Sequence, residues 1–235
     1  TTLKMLSGLL FPTNGEIDVL GYKPFDRRPE FLMQLSLIMG NRNQLWSDLT
    51  AIDTFRLNKE IYKISDREFK RMFTDLTELL EIGEIIYRPV RKMSLGQRMK
   101  CELIASLLHK PRILFLDEPT LGLDVVMQKK LREFIKDYNS KYNSTVLLTS
   151  HYMDDVKEVC NRVIIINAGV KLFDGSLANL IKEHAGYKTL SVTFNDEINT
   201  SLLTNIGQVE VTDSFNAQIR VKKEDVPSVA HRILS

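Results

Sequence analysis

Two adjacent carboxylates, Asp117 and Glu118, follow four apolar residues, Ile113 to Leu116. A short apolar run of this kind reads as a buried strand, and side chains along a strand alternate between its faces. Two acids at the tip of such a strand can therefore do two different jobs. One can hold a metal ion while its neighbour orients or deprotonates a water molecule. In open parallel sheets, ligands gather at the carboxyl ends of the strands, where these acids fall. Side-by-side carboxylates repel unless a cation or a function compensates. The plain alternative is a strand that runs into an acidic turn.

Two further segments could do chemistry. Ser94-Leu95-Gly96-Gln97 combines a hydroxyl with a glycine that lets backbone approach a phosphate, just before a helical pattern over Met99 to His109. The same four residues fit a capping box, with Ser94 as N-cap and Gln97 three places on. Both readings can hold together. A second apolar strand, Thr145 to Thr149, ends in Ser150-His151. An imidazole at a strand end can reach a ligand bound there. His109, His184 and His231 have no such setting and are expected on the surface.

In this order the three segments resemble the signature motif, the Walker B and D-loop, and the switch histidine of ABC-transporter ATP-binding cassettes. The likeness is greatest to the cassettes of ABC-2 type exporters and covers nearly the whole chain. It implies an α/β fold with a P-loop NTPase-like core, an inserted helical subdomain and a small α+β appendage. Residues 1–175 would form the ATPase domain, with the helical subdomain at about 47–108. Residues 176–235 would form an incomplete accessory region.

The resemblance implies ATP and Mg²⁺ as cofactors. Asp117 would hold Mg²⁺, Glu118 would act on the attacking water, and His151 would touch the γ-phosphate. Ser94, Leu95, Gly96, Gln97 and Asp124 would meet nucleotide, the signature residues closing over ATP on the opposite subunit of a head-to-tail dimer. Leu95 departs from the commonest signature, as a mark of the subfamily. Asn41 takes the place of a glutamine that relatives use to touch the metal or water, and it is one methylene shorter. Gln44 lies three places along and is expected to face elsewhere. The implied partners are an ABC-2 permease and a second cassette, identical or not. The expected location is the cytoplasmic face of the plasma membrane, reached through the permease.

One departure is larger. The sequence contains no Gly-x-x-x-x-Gly-Lys-[Ser/Thr] segment, and its opening Thr1-Thr2-Leu3-Lys4 resembles the run that follows that segment in relatives. The expectation is a fragment, cut at both ends and inactive alone. A soluble ABC ATPase of translation or DNA repair, or a nucleotide-free interaction module, are the competing readings. Too few residues separate Trp46 from Met93 for the long coiled coil of the repair proteins, and one cassette is present where the translation factors carry two.

Composition is consistent with this reading. Thirty-two Lys and Arg against 30 Asp and Glu leave a formal charge of +2, too balanced to argue for a nucleic-acid partner. No apolar run approaches the roughly 20 residues of a membrane span, so membrane contact is expected through a partner. Cys101 and Cys160 lack metal-site spacing.

The elements that must position these residues follow from apolar spacing. Residues 1–9 read as a helix. Glu16–Val19 and Leu35–Met39 read as strands, and residues 51–80 have helical spacing. Val125–Tyr142 reads as a long helix. Arg162–Ile166 and Lys171–Phe173 form a hairpin around Asn167 to Gly169. Beyond Phe194 the pattern predicts a helix over Ile198–Ile206, strands over Val209–Thr212 and Ala217–Val221, and a helix over Glu224–Leu234. Leu45 and Trp46 could line a groove for a helix of the membrane domain, or lie in the core.

Overall fold

The computed structural model describes residues 1–40, 43–184, 186–194 and 208–234, so Asn41 and the helix expected over Ile198–Ile206 lie outside the described residues. Two compact units result, Thr1–Val159 and Cys160–Ser235.

The first helix, α1, spans Thr2–Leu6 and is shorter than expected. Gly8 stops it with φ +75°, and the amides of Gly8 and Leu9 bond back to Met5 and Lys4. A side chain at this position would put a Cβ 2.3 Å from the Pro24 carbonyl oxygen, so glycine is needed. The strand expected over Glu16–Val19 does not form. Val19 and Tyr22 exchange both backbone hydrogen bonds, at 2.9 and 3.0 Å, around Leu20 and Gly21. Both turn residues take positive φ, so the chain doubles back after a single bridged pair.

After α2 (Pro29–Leu32) the chain enters β1 (Leu35–Met39). The helical spacing over 51–80 resolves into two helices, α3 (Ala51–Ile61) and α4 (Asp66–Leu79). Lys63 takes φ 52°, ending the first, and Ser65 accepts from the Glu68 amide to start the second. Then follow α5 (Leu95–Leu107), β2 (Ile113–Asp117), α6 (Val125–Tyr142), β3 (Thr145–Thr149) and α7 (Met153–Val159).

Strands β1, β2 and β3 lie side by side in that order, all parallel. The register sets Met39 opposite Asp117 and Asp117 opposite Thr149, so the three carboxyl ends are level. Strand β2 is central and its apolar residues are buried on both faces. Leu114 and Leu116 pack with Leu103, Leu107 and Phe134, while Ile113 and Phe115 pack with Leu3 and Phe31. Each fully buried side chain of this kind contributes about 1.5–3 kcal/mol, which anchors the strand that carries Asp117 at its end.

In the second unit, β4 (Arg162–Asn167) and β5 (Val170–Ser176) pair antiparallel, followed by α8 (Leu177–His184). A second antiparallel sheet has the order β6-β8-β7, from β6 (Tyr187–Thr193), β7 (Gln208–Val211) and β8 (Asn216–Lys222). Ile219 and Val221 of the central strand are buried with Val229 of α9 (Val226–Leu234). No helix among the described residues is long and apolar enough to cross a membrane.

Candidate functional site

The level ends of the three strands bring together Asp117, Glu118 and His151. The Thr149 hydroxyl donates to Asp117 Oδ1 at 2.8 Å and accepts from the Glu118 amide at 3.1 Å. That amide also reaches the Thr149 carbonyl at 3.1 Å. Glu118 itself takes φ 53°, a left-handed conformation that a non-glycine residue holds only where its surroundings over-determine it. On the other side of β2, the Gly40 amide donates to the Asp117 carbonyl at 2.9 Å. A Cβ on Gly40 would fall 2.1 Å from the Glu118 carbonyl oxygen, so β1 can leave the sheet this closely only through a glycine.

The Glu118 carboxylate holds His151 by both oxygens. The His151 amide donates to Oε2 at 3.3 Å, and the ring nitrogen Nε2 lies 3.2 Å from Oε1. The imidazole is otherwise open to solvent, with its side chain 91% exposed. Asp117 Oδ2 has no hydrogen-bond partner among the described residues and leaves an oxygen for a cation. No cluster of three or more metal-binding side chains exists among the described residues. A single available carboxylate oxygen suits Mg²⁺, which keeps several waters and takes one or two protein carboxylates beside substrate phosphates.

The second group of sequence-predicted residues sits at helix starts. Ser94 caps α5: its hydroxyl accepts from the Gln97 amide at 3.2 Å, while Gln97 Oε1 accepts from the Ser94 amide at 3.1 Å. The helix therefore starts at Leu95, four residues before the expected Met99, and Leu95 to Gln97 form its first turn. Asp124 caps α6 by one bond, its side chain accepting from the Met127 amide at 2.9 Å. The two caps are joined by packing. A Cβ on Gly122 would meet Leu95 Cδ2 at 3.1 Å, and one on Gly96 would meet Met127 Cγ at 3.3 Å.

Gln44 faces away from the acids. Its side chain donates to the Leu37 carbonyl at 2.9 Å, and its amide donates to Glu102 Oε1 at 3.1 Å. Glu102 is 2% exposed, and burial pushes its carboxyl above the usual range against the pull of Gln44 and Arg98. Leu37, Gln44 and Glu102 line a cleft of about 540 Å³ with Leu45, Thr54, Asn58 and Tyr62. Leu45 is buried, and Trp46 beside it is 57% exposed. His109 corrects the surface expectation. It is half-buried, its ring stacks on Tyr62 at 3.8 Å and its Nε2 lies 3.3 Å from the Leu35 carbonyl. Desolvation pushes its pKa down to about 4. His231 is exposed, as expected.

Sequence reasoning missed Gly40 and Thr149. A signal for Thr149 existed, since equal-length parallel strands put the residue before Ser150-His151 level with Asp117. Nothing local marks Gly40, whose constraint comes from a residue far along the chain.

A family model described as ABC transporter matches residues 1–121, and one described as EvrA-like ABC transporter, C-terminal domain, matches residues 186–235. The chain is similar to the ABC transporter ATP-binding protein NatA of Bacillus subtilis, 31% identical over 77% of this chain and 73% of the relative. It is 30% identical to the bacitracin transport ATP-binding protein BcrA of Bacillus licheniformis, over 80% of this chain and 60% of that protein. Among solved structures, one titled as the ATP binding subunit of an ABC transporter superposes with a TM-score of 0.69 at 25% identity, covering 77% of this chain and 75% of that one. The parallel sheet flanked by helices is thus the core of an ABC ATPase cassette. The chain belongs to the ABC transporter family, among its ATP-binding proteins.

Proposed function

We propose that the protein is the ATP-hydrolysing subunit of an exporter and drives substrate through an ABC-2 type permease. The observation that carries this reading is the convergence of Asp117, Glu118 and His151 at the level ends of β2 and β3. Glu118 is the general base: its carboxylate stands at the strand tip, largely enclosed, with the His151 amide on one oxygen and the His151 ring nitrogen beside the other. His151 pairs with that carboxylate and is exposed enough to turn onto a γ-phosphate. Asp117 would hold Mg²⁺ through its remaining oxygen, and the ion would neutralise phosphate charge. Asn41 is assigned the place beside metal or water on sequence position alone.

Ser94, Leu95, Gly96 and Gln97 present the first turn of α5, and Asp124 starts α6. Free amides and the positive end of a helix favour a phosphate there, which supports contact with ATP held by a second cassette. Residues 1–175 serve as the ATPase domain in this reading, with 47–108 as its helical part and 176–235 as an accessory region. The cleft beside Leu45 and Trp46 is assigned to the permease, which would hold the protein at the cytoplasmic face of the membrane. The name of BcrA, a bacitracin transport protein, supports a role in transport.

The test is Glu118→Gln in the full natural polypeptide that carries these residues. Amide for carboxylate keeps the shape and removes the base, so turnover should fall by roughly 10²-fold or more while ATP stays bound. Unchanged hydrolysis would mean that Glu118 is not the base.

A further inference from the structure

Asp155, on α7, is 0% exposed, yet none of the chemistry above uses it. Its Oδ2 accepts from the Thr120 hydroxyl and from the Ser150 hydroxyl, each at 2.6 Å, and its Oδ1 accepts from Arg132 Nη1 at 3.0 Å. Arg132, itself buried on α6, also lies 3.3 Å from Glu158. One carboxylate thus ties together the turn after β2, the segment after β3, and helices α6 and α7.

The choice of donors is informative. A structural ion pair with Arg132 needs only Oδ1. The other oxygen takes two hydroxyls, and each belongs to a neighbour of a residue assigned to the chemistry. Thr120 stands two residues after Glu118, and Ser150 immediately precedes His151. The turn holding Thr120 is short and internally bonded, with the Leu121 amide on the Glu118 carbonyl and the Leu123 amide on the Thr120 carbonyl. Ser150 also accepts from the Tyr152 amide at 2.9 Å, which fixes the backbone on both sides of His151. Short hydrogen bonds to a buried charge are stronger than neutral ones and hold geometry tightly.

We propose that Asp155 is a positioning residue: it clamps the Glu118 turn to the His151 segment through Thr120 and Ser150, setting the distance between base and imidazole. The proposal rests on the assignment of Glu118 and His151 made above. Misplacement of a reacting group by about 1 Å can cost on the order of 10²-fold in rate.

The test leaves the Arg132–Asp155 pair in place and removes the hydroxyls. Thr120→Val in the full natural polypeptide should lower kcat for ATP by about 10- to 100-fold with KM little changed; Tm should fall as one buried hydrogen bond is lost, and Thr120→Ser should restore both kcat and Tm. Ser150→Ala, at a half-buried site, should lower kcat in the same way and carries the test if Thr120→Val does not fold. Full kcat in Ser150→Ala, or in a folded Thr120→Val, would overturn the clamp. So would a loss that Thr120→Ser fails to restore. A failure of the underlying assignment looks different: Glu118→Gln would then leave turnover intact.

Discussion

The motif residues of the first unit divide into two regions held in different ways. At the strand ends, the contacts that place Asp117, Glu118 and His151 include several that join distant parts of the chain, through Thr149, Gly40 and the buried Asp155 of α7. At the helix starts, Ser94 and Asp124 are satisfied within three residues of themselves. The first region can hold a strained Glu118 backbone because distant elements constrain it. The second could form in any helix with the same four residues. Geometry that chemistry depends on is thus supplied by the sheet, whereas the caps present generic helix ends to whatever docks there.

The sharpest way to break this contrast is at Gly40. Adding one methyl group in Gly40→Ala forces β1 away from the Glu118 carbonyl, and such overpacking costs about 1–3 kcal/mol. A thermal melt should show that loss, with turnover falling further than the melt alone explains. Next comes Thr149→Val, which keeps shape and removes the hydroxyl that supports Asp117. With Asp117 in its proposed role as Mg²⁺ ligand, loss of the hydroxyl that orients it should weaken metal binding by about 10- to 100-fold, measurable as a rise in the Mg²⁺ concentration needed for half-maximal hydrolysis.

At the helix starts, Ser94→Ala should cost only about 1 kcal/mol, the usual value of an N-cap. Ser94→Asp sharpens the comparison, because aspartate caps as well as serine but carries charge. Tm should hold while turnover drops at least roughly tenfold by repulsion of phosphate. Normal turnover in that variant would make Ser94 a cap and nothing more.

The smallest effect lies away from both regions, at His109. Its folded pKa of about 4 is below the unfolded value of 6.5, so the unfolded chain takes up the proton first as pH falls. Stability is therefore full above about pH 6.5 and declines toward pH 4, by about 1 kcal/mol at pH 5 after allowance for partial exposure. His109→Gln should flatten that part of the stability–pH curve, and an unchanged curve would assign the acid sensitivity to other groups.

What could be read from sequence follows the same division. Leu35–Met39, Val125–Tyr142 and Thr145–Thr149 have the expected bounds because apolar spacing, caps and turns are local. The capping box at Ser94 was visible for the same reason. The strand expected over Glu16–Val19 failed because two positive-φ residues directly after it, Leu20 and Gly21, outweighed a short alternating pattern. His109 looked like a surface residue because its stacking partner, Tyr62, lies far back along the chain, just after α3. In the pair Asp154-Asp155, nothing in the neighbouring residues says which carboxylate turns inward. The fold decides that, by bringing Arg132, Thr120 and Ser150 to one point.

Residues 1–235 hold a single indole, and it belongs to the solvent-facing Trp46 next to the cleft. Its fluorescence is therefore a label-free gauge of that loop alone. A blue shift when a tryptophan-free partner segment is added would place the contact at this ring, and an unmoved spectrum would place it elsewhere.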